Sequence, residues 1–243
     1  MTRPCSIGSP PSRRVSCGSA SVRAHTTLSI VTAPLNLLEG RRLKVAFVGT
    51  HGVGKTTLCF ELAAQLKRID LGVDIVKEVA RRCPLPINEG TTYDAQAWIL
   101  HTQIAEEIKA AAEYEVVICD RSVLDNYAYL VARVGRRAEL DPLVGAWVRG
   151  YDALFKVPIL GAPTFDGKRA VNPDFQVEID TIIDGLIAAF DVPVHALDPN
   201  DRDGWTARAV QWLGLPANPP QIDLFGSGPP SSWSPGMPSL EPS

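Results

Sequence analysis

The chain lacks any long hydrophobic run: its aliphatic stretches are cut repeatedly by Gly, Pro or charge, and none reaches the roughly 20 residues of a membrane span. It also lacks an excess of base. A net charge of −3, with 21% charged residues, gives no global attraction to nucleic acid or lipid, so any anion must be held by a local site. Paired cysteine spacing is missing as well. Cys5, Cys17, Cys59, Cys83 and Cys119 form no CxxC and no Cys/His spacing of a zinc site, and read as reduced thiols of a cytoplasmic protein. Cys59 and Cys119 fall in apolar runs, where a free Cys packs as a small hydrophobe.

Acid is absent before Glu39, and residues 1–40 are rich in Ser, Pro and Arg, a composition that cannot bury enough apolar surface to fold alone. The only methionines are Met1 and Met237, so this leader reads as a disordered or artefactual extension upstream of the true start, with an organelle transit peptide as the alternative. Residues 216–243 repeat Pro, Ser and Gly without period and read as a disordered tail.

Between them, residues 41–215 alternate short β-rich runs with longer runs of 3.6-residue period. Strands are expected at Lys44–Val48, Val73–Lys77, Val116–Cys119, Leu154–Val157 and Pro193–Leu197. Helices are expected at Lys55–Lys67, Ala95–Glu113, Asp125–Val134, Pro142–Tyr151, Asp174–Phe190 and Trp205–Leu213. In the second helix Ala97, Leu100, Ile104, Ile108 and Ala111 share an apolar face, with Gln103, Glu106, Glu107 and Lys109 turned largely away. Asp141 before Pro142 reads as an N-cap. Such alternation predicts an α/β domain, a parallel sheet with helices on both faces.

Within this frame "GTHGVGKTT", Gly49–Thr57, satisfies GxxxxGK[ST] between a strand and a helix. There the loop N–H groups of Gly49, Thr50, His51, Gly52, Val53 and Gly54 and the positive helix end converge on a phosphate. Lys55 reaches the β- and γ-phosphates, Thr56 is placed to ligate Mg²⁺, and Thr57 completes the motif. The histidines carry no assigned chemistry; the His51 side chain is expected to face solvent, because the loop binds through its backbone.

Other strand ends supply the rest. Glu78 and Arg81, three residues apart after the second strand, offer a carboxylate for a hydroxyl and a guanidinium for an anion; with Arg82 they read equally as a solvated charged turn. Asp120, directly after four apolar strand residues, stands where a Mg²⁺-orienting acid belongs, and Arg121 follows it toward phosphate. Asp125 either supports that site or caps the helix beginning there. The segment 161–175, with Lys168 and Arg169, is long enough to close over a bound nucleotide, or is an exposed basic loop.

Together "GTHGVGKTTL", "EVAR", the helical Gln103, "DRSVLD" with "YAY", and "DGKR" followed by "PDF" resemble the NadR-like P-loop family. This is the nicotinamide riboside kinase branch of the nucleoside and nucleotide kinase fold. The resemblance runs from about Lys44 to Phe190. It implies a three-layer αβα fold with a five-stranded parallel sheet of order 2-3-1-4-5. It also implies ATP with Mg²⁺ and phosphorylation of a small nucleoside-like hydroxyl acceptor. Glu78 and Arg81 would contact the acceptor, Asp120 and Arg121 would serve metal and phosphates, Asp125 would support them, and Arg169 would come from a lid. Where the family carries an Arg after an acidic-aromatic pair, this chain has Gln176.

The leading reading is therefore a small-molecule kinase with Lys55, Glu78, Asp120, Arg121 and Arg169 as its catalytic set. The second is a nucleotide-dependent binding module or switch without acceptor phosphorylation, which needs only the cradle. An ATPase acting on nucleic acid would call for a basic track, which the sequence does not show.

Overall fold

Leu43–Val48 forms β1, in which every residue but Lys44 is buried. A strand buried on both faces must be apolar at nearly every position, which is why this run reads as continuous rather than alternating. The computed structural model describes residues 38–87, 91–161 and 172–219. The expected leader and Pro-rich tail fall outside these, except for residues 38–40 and 216–219, as do Lys168 and Arg169.

β1 is the centre of a five-stranded parallel sheet of order β2-β3-β1-β4-β5, with β2 at Val73–Val76, β3 at Val116–Cys119, β4 at Ala153–Lys156 and β5 at His195–Ala196. Leu43 pairs with Val116 on one side and Val45 with Ala153 on the other. The helices are α1 (Lys55–Arg68), α2 (Tyr93–Glu113), α3 (Val123–Val134), α4 (Asp141–Val148), α5 (Pro173–Phe190) and α6 (Trp205–Trp212). A 3-10 turn, Val79–Arg82, follows β2.

The two-residue alternation of the strands divides the core into two layers. Val45 and Phe47 of β1 and Phe155 of β4 pack with Leu58, Leu62 and Leu66 of α1 and Trp205 of α6. Ala46, Val48 and Leu154 face the opposite way, against Leu124 and Tyr127 of α3 and Ile179 and Ile183 of α5. The result is the parallel sheet with helices on both faces that the alternation predicts, in the three-layer arrangement and strand order that the family resemblance implies. Because chain order reverses on either side of β1, the carboxyl ends of β1 and β3 open a crevice at the switch point.

Three local expectations are corrected. Leu140, not Asp141, is the α4 cap, because the Asp141 carboxylate is taken by the Tyr127 hydroxyl and by Arg136 at 2.8 Å. In α2 the buried face is rotated: Gln103 and Glu107 are buried, and Ile108 is 56% exposed. The Glu107 carboxylate accepts from the Tyr151 hydroxyl at 2.6 Å, Trp147 Nε1 at 2.7 Å and Gln103 Nε2 at 2.9 Å, and pairs with Lys44 at 3.2 Å. Partners from distant segments thus satisfy a carboxylate that periodicity alone assigns to solvent. Thirdly, β5 shortens to two residues, with His195 stacked against Trp212 at a centroid separation of 3.5 Å. Burial holds the Cys59 and Cys119 thiols well above their usual pKa, which suits their packing role.

Candidate active site

The loop from Gly49 to Gly54 leaves β1 and enters α1 with positive φ at Gly49 (154°), Gly52 (76°) and Gly54 (88°). Gly49 cannot be replaced without cost: a Cβ there would lie 2.8 Å from the Val157 carbonyl oxygen. Its N–H donates to Asp125 Oδ1 at 2.8 Å, and Asp125 Oδ2 accepts from the backbone and hydroxyl of Ser122 at 2.7 and 2.6 Å. Ser122 caps α3 and Asp125 completes its capping box, so one wholly buried carboxylate joins the helix start to the phosphate loop. The two readings of Asp125 merge: it caps, and through the cap it supports the loop, with its oxygens committed beneath the site rather than in the cavity.

Lys55 Nζ folds back onto the Gly49 and Thr50 carbonyls at 2.6 and 2.5 Å. Burial, with a smaller push from Arg121, lowers its pKa from 10.5 to about 8, partly offset by Asp125, Asp120 and Glu78. The Thr56 hydroxyl donates to Asp120 Oδ2 at 2.7 Å, which brings together the two groups expected to hold a metal. Val53 packs into the core below the loop, and Thr57 is exposed.

His51 departs from expectation. It is 4% exposed, with Nδ1 3.1 Å from the Tyr129 hydroxyl and its ring 5.8 Å from that of Phe175. Its carbonyl accepts from Gln176 Nε2 at 2.8 Å, so position 176, buried in α5, fastens α5 to the loop. The family resemblance implies an Arg at this position; Gln176 here binds backbone instead.

Glu78 is buried rather than part of a solvated turn, and it and the half-exposed Arg81 line the same cavity. Glu78 accepts from Arg81 Nε at 2.8 Å and from Arg121 Nε at 2.9 Å, with Arg121 Nη2 at 2.8 Å. Arg82 instead pairs on the surface with Glu106. Arg121 takes a φ of 106°, unusual for a residue with a side chain, and its carbonyl accepts from Gln103 Nε2 at 3.0 Å. Burial works against the Arg121 charge, but Tyr129, whose ring lies 4.9 Å away, and Glu78 outweigh it and raise its pKa.

These groups wall a cavity of about 460 Å³ to which His51, Glu78, Arg81, Arg121, Tyr129 and Phe175 contribute. The expected lid enters the described residues only at its ends, where Asn172 Oδ1 caps α5 by accepting from Asp174 N at 2.9 Å. Arg169 lies outside them.

Sequence reasoning missed Tyr129, Phe175 and Arg202. Tyr129 and Phe175 lie in the quoted "YAY" and "PDF", but nothing in their spacing separates a cavity wall from core. Arg202 pairs with Glu61 at 3.3 Å, and its Nη2 stands 4.0 Å from where a Cβ on Gly54 would be.

The profile of the AAA domain family AAA_28 matches residues 44–204. No curated protein sequence matches the chain. Among solved structures, deoxyadenosine kinase from M. mycoides with dCMP and dCDP is similar at a TM-score of 0.52 and 15% identity, over 71% of this chain and 99% of that one. Thymidylate kinase from Ehrlichia chaffeensis is similar at 0.52 and 18% identity, over 71% and 99%. NadR protein in complex with NR is similar at 0.57 and 19% identity, over 74% of this chain but only 54% of that chain. Identities this low establish the fold alone. With the profile match spanning β1 to the start of α6, the chain belongs to the AAA domain family of P-loop proteins, and its fold is that of the deoxyadenosine and thymidylate kinases and of NadR.

Proposed function

We propose that the chain is an ATP-dependent kinase that transfers the γ-phosphoryl group to a hydroxyl of a small nucleoside-like acceptor. The observation that carries this reading is Glu78, held between Arg121 and Arg81 on the wall of a cavity that reaches the phosphate loop through His51. A nucleotide switch needs the loop; it does not need a cavity beside it with a carboxylate and guanidinium groups in its wall. The ligands named for the similar solved structures, the products dCMP and dCDP in one and NR in another, are built on nucleosides, as the proposed acceptor is.

The loop N–H groups and the α1 N-terminus would receive the β- and γ-phosphates, and Lys55 would exchange its two carbonyl partners for phosphate oxygens. Thr56 and Asp120 fit Mg²⁺, which commonly takes one or two carboxylates and completes its shell with phosphate oxygens and water. Among the described residues no cluster of three His, Cys, Asp or Glu side chains would hold a metal independently, so the ion would arrive with the nucleotide. When bound, Mg²⁺ neutralises charge on the phosphates. Arg121 adds fixed positive charge in a buried setting, where it is poorly screened. Glu78 would accept the attacking hydroxyl and orient it; a loose transition state asks mainly for positioning and charge stabilisation. Arg169 would be the lid's cation. A cytoplasmic location is part of the same proposal.

A second reading, the nucleotide-dependent switch, is favoured by one contact. Gln176 fastens α5 to the His51 carbonyl, so movement of the loop on nucleotide binding would be transmitted to α5. The test is ADP release with Mg²⁺-ATP in the presence of nucleosides, nicotinamide riboside, mononucleotides or sugar alcohols, with Lys55→Ala as the blank. Acceptor-stimulated, one-to-one ADP formation is expected. ATP binding with no acceptor raising turnover above the blank would defeat the kinase reading and leave the switch.

A further inference from the structure

Asn126 is 3% exposed and lines the cavity, yet its Nδ2 has no hydrogen-bond partner among the described residues. A buried donor without a partner is costly, and persists in a native fold where something outside the chain satisfies it. Nor is the residue free to turn elsewhere. The preceding Asp125 is locked to Ser122 and to Gly49 N–H, which fixes the rotation of α3.

Asn126, Tyr129 and Arg133 follow an i, i+3, i+7 spacing on α3, and all three line the cavity. At a helix rise of 1.5 Å per residue the stripe is about 10 Å long, the length of a nucleoside. Its near end adjoins the phosphate loop through Asp125. At its far end Arg133 Nε donates to the Thr91 carbonyl at 2.9 Å, and Gln96 Nε2 to the Thr91 hydroxyl at 2.7 Å. Midway, Tyr129 meets Phe175 edge-on at 6.1 Å, a wall suited to a flat ring.

We propose that Asn126 is a specificity-determining residue whose amide donates to a neutral oxygen of the acceptor, either a sugar hydroxyl or an exocyclic ring carbonyl. The proposal rests on the kinase reading of the cavity. A charged phosphate oxygen would be met by Arg121 and Arg81; a neutral amide suits a neutral oxygen, which pairs with it at little desolvation cost.

The test measures dissociation constants by calorimetry on the full chain with Mg²⁺ and a non-hydrolysable ATP analogue present. The probes are two matched sets: inosine, 2′-deoxyinosine and purine riboside; and uridine, 2′-deoxyuridine and pyrimidin-2-one riboside. At least one parent nucleoside is expected to bind about fivefold to tenfold more tightly than one of its stripped analogues, the worth of one neutral hydrogen bond. Loss with the deoxy analogue identifies the hydroxyl; loss with the analogue lacking the carbonyl identifies that oxygen. Asn126→Ala is expected to erase this preference while melting at or above the wild-type temperature without ligand, since it removes an unsatisfied donor. Asn126→Asp, which keeps the shape without the donor, is expected to erase it too. If both variants keep the preference, or melt lower with the preference intact, the residue is structural and the proposal falls while the kinase reading stands. If no probe binds the wild type although the ATP analogue does, the proposal falls, and the acceptor screen above decides the kinase reading separately.

Discussion

Nucleotide binding should take up a proton at Lys55. In the fold its pKa is lowered from 10.5 to about 8, chiefly because burial disfavours the ammonium ion. The unfolded chain therefore holds this proton to higher pH than the folded chain does. Between pH 8 and 10.5 unfolding binds a proton, and stability contributed by this group rises with pH across that window; below pH 8 the cost of the buried charge, about 3 kcal/mol, is carried in full. A polyphosphate placed against Nζ returns the missing counter-charge and raises the pKa. At pH 8, binding should then consume about half a proton per nucleotide, and at pH 6.5 almost none from this group. Calorimetry of Mg²⁺-ATPγS, which is hydrolysed slowly, at pH 8 in buffers of different ionisation enthalpy reads the proton count as a slope; its terminal thiophosphate is already ionised there. A zero slope in the wild type, or an equal slope in Lys55→Met, would refute the reasoning.

Gly49→Ala should destabilise the fold by at least about 2 kcal/mol in urea unfolding, because the new Cβ stands 2.8 Å from the Val157 carbonyl and φ is 154°. Asp125→Asn should cost about 2–3 kcal/mol and weaken ATP binding together with it, since three N–H and O–H donors converge on that carboxylate; ATP titration of the folded variant checks the coupling. Glu107→Ala should cost about 3–5 kcal/mol in urea unfolding, because it strands Lys44 between the Trp147 and Tyr151 rings and removes the partner of three further donors.

The loop proposed as the phosphate cradle was legible as a strand-to-helix turn because it is local. Its glycines, Lys55 and Thr56 lie within nine residues, and the flanking strand and helix announce themselves by their own periods. Asp120 was legible for the same reason, as the first residue after a buried strand. Glu78 and Arg81 stood on the page only as alternatives, because a charged pair after a strand reads the same in a site or in solvent. The contact of Arg121 with Glu78, 43 residues away, decides between them.

What the sequence determined by itself is the order of elements and the place of the GxxxxGKT loop between β1 and α1, set by patterns a few residues long. Tertiary structure alone decided that Glu107 is buried, with a partner 44 residues away, that Gln176 binds the His51 carbonyl across 125 residues, and that Asn126, Tyr129 and Phe175 wall one cavity. Hydrophobic periodicity reports which apolar groups leave water. Whether a polar group follows them inside depends on partners that only the folded chain brings within hydrogen-bonding distance.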